Sequence, residues 1–234
     1  LMACGTAAKY ADKVVLIEKN NILAKKVRIT GKGRCNITNS ADVEDIIRNI
    51  PTNGKFLYSA LYSFTNEDTI AFFENLGVKT KTERGGRVFP VSDSAKDVAE
   101  ALAKYAIQKN VKRIYAEAVG IKTENSKVFG VETTKGFVRA DKVILASGGK
   151  SYPLTGSDGS GYKLAKRLGH TVIEPYPSLV PIETKENWVK DVMGLSLKNV
   201  SLKLYSKKLV YEDFGEMIFT HFGISGPIVL SASA

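Results

Sequence analysis

Residues 13–20 read Lys-Val-Val-Leu-Ile-Glu-Lys-Asn. The short apolar run ending at Ile17, bounded by polar residues, predicts a strand of a parallel sheet, where both faces are covered. Glu18 closes it. Ahead of the run, residues 1–11 carry Ala3, Gly5, Ala7 and Ala8, small side chains that let a helix lie close against a sheet. This is the pattern of the back half of a βαβ dinucleotide-binding unit. In such a unit a carboxylate stands about 20 residues beyond the first glycine of a G-x-G-x-x-G turn and accepts the ribose hydroxyls. With Glu18 in that role, the glycine turn and the first strand are expected ahead of Leu1.

Downstream, residues 30–39 read Thr-Gly-Lys-Gly-Arg-Cys-Asn-Ile-Thr-Asn. Gly31 and Gly33 free the backbone for turns that a side chain would block, and Lys32 and Arg34 bring positive charge to it. An anionic cofactor needs both. Thr30, Asn36, Thr38 and Asn39 can bond a ligand or satisfy the loop's own amides. An ordinary basic surface loop has the same composition, and on these ten residues alone the two readings stand level.

Farther along, residues 42–49 and 55–64 read as short helices, and 65–76 as a longer one. Thr65 and Asp68 form a capping-box-like start to it, and Gly77 a stop. A helix is expected to start at Ser92 and Asp93 and to end near Asn110, with Val98, Leu102 and Tyr105 on one side. The aromatic residues of these helices are expected in the core. Residues 111–139 change to short β-rich runs broken at Glu124-Asn125-Ser126 and Lys135-Gly136, which predicts a β-meander. Val143 to Ala146 reads as another buried strand. It ends at Ser147-Gly148-Gly149, where ligands approach open α/β sheets, although a simple tight turn fits the same residues. The glycine-rich stretch 155–161 opens a helix at 162–168 whose first amides form a second candidate anion site. Beyond Ser178, β-like runs at 197–205 and 216–219 suggest a separate β-rich domain.

The 234 residues, 44% hydrophobic, suffice for a substantial core. No apolar run approaches the ~20 residues that span a bilayer, so no membrane partner is expected. Two cysteines, Cys4 and Cys35, make no disulfide framework and point to a reducing cytoplasm. Neither His170 nor His221 has metal-ligand spacing, so no metal site is expected; His221 reads as a hydrogen-bonded structural residue. The net charge is +10. Between Glu18 and Asp42 lie Lys19, Lys25, Lys26, Arg28, Lys32 and Arg34 and no acid, and Lys198, Lys203, Lys207 and Lys208 form a second basic stretch. Such charge suits RNA phosphates, a solvated face, or one pyrophosphate.

The segments VVLIEKN (14–20), ITGKGRCNITN (29–39), GRVFPVS (86–92), LASGG (145–149), YKLAKRLGH (162–170) and THFGISGP (220–227) together resemble the NAD(P)/FAD-dependent oxidoreductases called the HI-0933-like or aminoacetone-oxidase-like family. Members often carry Asp where this chain has Ser160, and they are longer, which implies further sequence on both sides. The resemblance implies an α/β fold: a Rossmann-like doubly wound FAD-binding domain with a β-meander over residues 1–180, then the start of a β-rich insert domain over 181–234. It implies an FAD-dependent oxidoreductase with NAD(P)H as donor. The substrate would be an amino ketone, a steroid enone or uridine of ribosomal RNA. Glu18 would bind the adenosine ribose, with a backbone contact at Ala118. Lys19, Gly31, Gly33, Arg34, Cys35 and Asn36 would lie along the pyrophosphate and toward the ring, and Ala146, Ser147, Gly148 and Gly149 would close the pocket. With RNA as substrate, Lys25, Lys26 and Arg28 should face outward to phosphates. The competing reading is a non-catalytic basic RNA-binding or scaffolding protein on the same fold.

Overall fold

The computed structural model describes residues 1–234, which form two compact units, Leu1–Val172 and Ile173–Ala234, divided ahead of residue 180. In chain order the first unit contains α1 (Met2–Ala7), β1 (Val14–Glu18), β2 (Thr38–Asn39), α2 (Val43–Arg48), α3 (Tyr58–Ser63), α4 (Asn66–Asn75), β3 (Thr80–Glu83), β4 (Arg87–Pro90), α5 (Ala95–Ala106), β5 (Val111–Tyr115), β6 (Ala118–Glu124), β7 (Lys127–Thr133), β8 (Gly136–Arg139) and α6 (Ser160–Arg167).

β1 and β5 pair in parallel, from Val14 opposite Val111 to Glu18 opposite Tyr115. Residues 111–115, expected at the head of the meander, therefore belong to the main sheet. Parallel neighbours require a crossover, and here it carries α2 to α5 and a small antiparallel sheet in the order β2-β4-β3. The polar run Thr80–Glu83 gave no strand signal; its ladder with Arg87–Pro90 makes it one. The meander is β6-β7-β8. Asn125 and Ser126 both take positive φ in its first turn, the geometry that matches strand twist in a two-residue hairpin.

Four expectations need correction. Val143–Ala146 is unpaired, with Ile144 and Leu145 exposed: its composition suits a buried strand, but no strand of this chain lies beside it to complete a ladder. α5 begins only at Ala95, because Asp93, at φ 52°, turns its carboxylate to Arg34 and Lys81, and it stops at Ala106, where Ile107 leaves the helical region at φ −93° and ψ 83°. Phe56, Tyr58, Tyr62 and Phe64 are exposed and not core; Tyr58 and Tyr62 stack on each other at 6.0 Å. The small residues of α1 do permit a close approach, but to α5: Cys4 Sγ donates to Ala106 O at 3.5 Å, and Thr6 Oγ1 and Tyr105 OH lie 3.0 Å apart.

α4 carries the capping box in full. Thr65 Oγ1 accepts from Asp68 N at 3.0 Å, and Thr65 N donates to Asp68 Oδ2 at 2.8 Å. Its Phe73 joins Cys35, Val78, Ala95, Val98 and Ala101 in the core, with Val27, Ile37 and Leu102 packed against them. The core thus lies directly under the 30–39 loop.

The second unit holds β9 (Ile182–Glu183), β10 (Ser196–Ser206), β11 (Lys208–Phe219), β12 (Gly223–Ser225) and α7 (Pro227–Ala232), with sheet order β10-β11-β12-β9. Ile228 and Val229 of α7 are buried. A Cβ added at Gly215 of β11 would lie 2.7 Å from Ile228 Cγ2. His221 is exposed, with its ring 4.8 Å from Phe222, and makes no hydrogen bond of the structural kind expected. No helix is long and apolar enough to cross a membrane.

A Cβ at Gly5 would overlap the Tyr105 ring and lie 2.8 Å from the Tyr105 carbonyl oxygen. Gly5→Ala should therefore separate α1 from α5 and cost about 1–3 kcal/mol, read as a lower midpoint in denaturant melts. Truncating Tyr105 to Ala as well should restore only part of the loss, because the carbonyl stays in place.

Candidate functional site

Parallel pairing sets Glu18 at the carboxyl end of β1, the edge where ligands bind in open α/β sheets. Asn20 holds it there: the Asn20 backbone N and Nδ2 both donate to Glu18 Oε1, each at 2.8 Å. Both bonds fall on one oxygen, which leaves Oε2 outside the pair. Asn20 Nδ2 also donates to Thr155 O at 3.2 Å, and Arg113 Nη2 fixes the turn from below through Asn20 O (3.2 Å) and Asn21 O (3.0 Å).

The glycine-rich segment 151–159 is drawn onto this turn. Lys19 Nζ lies 2.6 Å from Asp158 Oδ2 and 3.9 Å from Glu117 Oε1. Lys25 Nζ donates to Leu154 O at 2.8 Å and Lys26 Nζ to Ser151 Oγ at 3.2 Å, while Arg28 Nε donates to Leu23 O at 3.4 Å. Each gives a hydrogen bond to an uncharged acceptor of the chain, and Lys25 is exposed. Asp158 Oδ1 accepts from Ser160 N at 3.0 Å. Asp158 thus bonds the first amide of α6 from one residue ahead of its N-cap, Gly159. Lys19 first, and Ser160 second, hold the Asp158 carboxyl well below the usual range.

Residues 146–149 interlock with the same segment. A Cβ at Gly148, φ +80°, would lie 2.7 Å from Ser157 Oγ, and one at Gly161 would overlap Ser147 Oγ. Gly149 O accepts from Gly159 N at 3.1 Å. Ala146, Ser147 and Gly148 are exposed beside it. Ala118 opens β6 opposite Thr133, next to the Glu117 carboxylate that approaches Lys19.

The 30–36 loop is anchored elsewhere. Gly31, Lys32, Gly33 and Cys35 take positive φ, and nothing lies within 4 Å of a Cβ added at Gly33. Lys32 is exposed, but Arg34 is committed. Its Nη2 lies 2.5 Å from Glu83 Oε1 and 2.6 Å from Asp93 Oδ1, and its guanidinium stacks 4.2 Å from the Phe89 ring centre. Lys81 completes the knot at 2.6 Å from Asp93 Oδ2. Sequence reading missed Glu83 and Asp93 because their partner is about fifty residues away. Asn36, oriented so that its amide nitrogen has acceptors, donates to Thr38 O (3.1 Å) and Val88 O (3.3 Å). Cys35 is buried beside a cleft of about 210 Å³ lined also by Val27, Thr30, Ile37, Phe73 and Val98. Burial pushes its thiol up, although Lys32 and Arg34 are its near neighbours in sequence. Both cysteines are free and buried: Cys4 meets α5 at Ala106, and Cys35 packs in the core with Val98 and Ala101.

This donor set fits a dinucleotide. A carboxylate oxygen outside its hydrogen-bonded pair stands at the carboxyl edge of a parallel strand, and an unobstructed glycine turn carries an exposed lysine. A family model described as the HI0933-like protein Rossmann domain matches residues 1–225. The chain is similar to a 3-dehydro-bile acid delta(4,6)-reductase of Clostridium scindens, 36% identical over 229 residues that cover 94% of this chain and 53% of the relative. It is similar also to the ribosomal RNA dihydrouridine synthase of Haemophilus influenzae, 28% identical over 238 residues, 100% of this chain and 58% of that one. A D-amino-acid oxidase of Bradyrhizobium diazoefficiens matches 35% of the chain at 32% identity. The chain spans about half the length of the curated relatives it matches.

Two outcomes follow from this geometry. Arg34 lowers the pKa of Glu83, and Lys81 with Arg34 lowers that of Asp93. A carboxylate with a depressed folded-state pKa adds stability above its ordinary pKa and loses it as pH falls through the depressed one. Stability should therefore fall on acidification below about pH 4, and the double variant Glu83→Gln, Asp93→Asn should flatten that part of the profile in melts across pH. Native Cys4 and Cys35 should both resist alkylation at neutral pH, with labelling accelerated in denaturant and followed by mass spectrometry.

Proposed function

This chain belongs to the HI0933-like family, whose Rossmann domain covers residues 1–225 of it, and on that premise we propose that the intact protein is an FAD-dependent oxidoreductase. The observation that carries the reading is Glu18: its carboxylate is fixed by two hydrogen bonds on one oxygen, which leaves the other for the adenosine ribose hydroxyls. Lys32 and the backbone of Gly31 and Gly33 would meet the pyrophosphate. Ala146 to Gly149 would close over the cofactor, backed by the interlocked segment 157–161. Lys19 and Arg34 would act at one remove, by holding Asp158 and the β3–β4 sheet. Asn36, beside Arg34, would lie toward the ring end, Cys35 would shape the pocket wall, and Ala118 would lie at the adenosine end.

The reaction class we propose is reduction of a carbon–carbon double bond activated by a carbonyl, with NAD(P)H as the donor. Both a delta(4,6)-reductase and a dihydrouridine synthase carry names of that chemistry. A bound reduced flavin supplies the hydride in such a reaction, and this chain's part is to hold and aim the cofactor. Of the candidate substrates, a small conjugated ketone is favoured over RNA, because five of the six cations between residues 18 and 42 turn onto the chain itself. Oxidation of an amino ketone is the alternative within the same cofactor chemistry.

The test is a titration of the full-length protein, stripped of any flavin, with FAD, followed by the absorption shift and fluorescence quenching. Saturable binding is expected. Glu18→Gln should weaken it roughly 10- to 100-fold, the ~1.5–3 kcal/mol of hydrogen bonds to a charged group. A full-length protein that takes up no FAD would return the non-catalytic scaffold reading to the front. Reduction of an enone by the loaded protein, without added RNA, separates the small-molecule reading from the RNA one.

A further inference from the structure

We propose that Asp158 sets the nucleotide preference of the Glu18 site: by holding Lys19, it makes the site accept an adenosine ribose with a free 2′-hydroxyl and refuse a 2′-phosphorylated one. The proposal rests on the reading of Glu18 as the ribose ligand. At this edge of a dinucleotide fold an acid suits the free hydroxyl, and a nearby cation suits a 2′-phosphate. The sequence offers both, since Lys19 follows Glu18 directly. The structure decides between them.

Lys19 Nζ is 2.6 Å from Asp158 Oδ2 and 3.9 Å from Glu117 Oε1, so its charge is already met by two carboxylates. Asp158 is itself fixed, because its other oxygen accepts from Ser160 N at the start of α6. Four further cations bond the chain nearby: Arg113 to the carbonyls of Asn20 and Asn21, Lys25 to Leu154 O, Lys26 to Ser151 Oγ and Arg28 to Leu23 O. A 2′-phosphate would bring almost two negative charges beside Glu18, Glu117 and Asp158, while the adjacent cation, Lys19, is already paired with two of those carboxylates. A free ribose hydroxyl needs only the Glu18 oxygen. The site would in this way exclude 2′-phosphorylated pyridine nucleotides from the place meant for the flavin's adenosine half.

The probes are ADP-ribose and 2′-phospho-ADP-ribose, titrated calorimetrically at one fixed salt concentration into the flavin-stripped full-length protein. The wild type should bind the phosphorylated probe more weakly. Asp158→Asn releases Lys19 and should shift the ratio of the two affinities toward the phosphorylated probe about tenfold, the ~1.4 kcal/mol within reach of one partly exposed charge contact. Adding Lys19→Gln should return the ratio to the wild-type value, and Asp158→Glu should never leave it. Asp158→Asn keeps a side-chain oxygen that can accept from Ser160 N, and melts of the same samples check that each variant is folded. An unchanged ratio in Asp158→Asn, with Glu18→Gln still weakening ADP-ribose, overturns the role of Asp158 alone. Unchanged ADP-ribose binding in Glu18→Gln overturns the ribose reading beneath it.

Discussion

The hold of residues 19–26 on residues 151–158 is the interaction on which the site depends. Four contacts make it: Lys19 to Asp158, Asn20 to Thr155, Lys25 to Leu154 and Lys26 to Ser151. Taken singly, each is a surface contact of the kind that adds little, because solvent screens the charge and long side chains lose freedom. Together they join two segments more than a hundred residues apart, and each shares a backbone with its neighbours, so the ordering cost of one lowers that of the next. Packing confirms the register: a Cβ at Gly156 would lie 2.5 Å from Asn20 Nδ2. Only a bare backbone fits under that amide. The glycines at 148 and 161 answer the same demand one layer further in, against Ser157 and Ser147.

A second constraint governs the 30–36 loop. Its shape comes from two anchors that flank nothing but each other, the Arg34 guanidinium in its carboxylate pair and the Cys35 side chain in the core. Both were legible as residues of interest, and neither role was. Arg34 reads as a phosphate ligand in sequence because arginine suits phosphate, and the chain supplied two carboxylates first, from the end of β3 and the start of α5.

What could be read in advance was local. The VVLIE run, the Thr65–Asp68 capping box and the two meander turns each carry their signal within a few residues, and each formed as read. What could not be read needed a partner distant in sequence. Thr80–Glu83 is polar at every position and becomes a strand only through β4. Val143–Ala146 has the opposite history, strand-like in composition and unpaired in the fold. The basic run is the same lesson in charge: the sequence shows how many cations there are, and only the fold shows that most are already occupied.

That occupancy changes what the surplus charge means. Of the six cations between Glu18 and Asp42, Lys32 alone is left without a partner inside the chain, and it sits at φ 56°, where an L side chain costs roughly 1–2 kcal/mol. Cys35 carries similar strain at φ 62°. Strain of this kind persists only where the surroundings over-determine the backbone, and here the Arg34 ion pairs and the Cys35 burial do so. Lys32 contributes nothing to holding its own conformation, since its side chain is exposed and its neighbours fix the turn. A residue held in an unfavourable conformation by others, with its charge unspent and bare glycine on either side, suits the proposed pyrophosphate contact better than a structural role. Within the run from Glu18 to Asp42 the unspent charge is therefore that of Lys32, while Lys198, Lys207 and Lys208 of the second basic stretch are exposed as well.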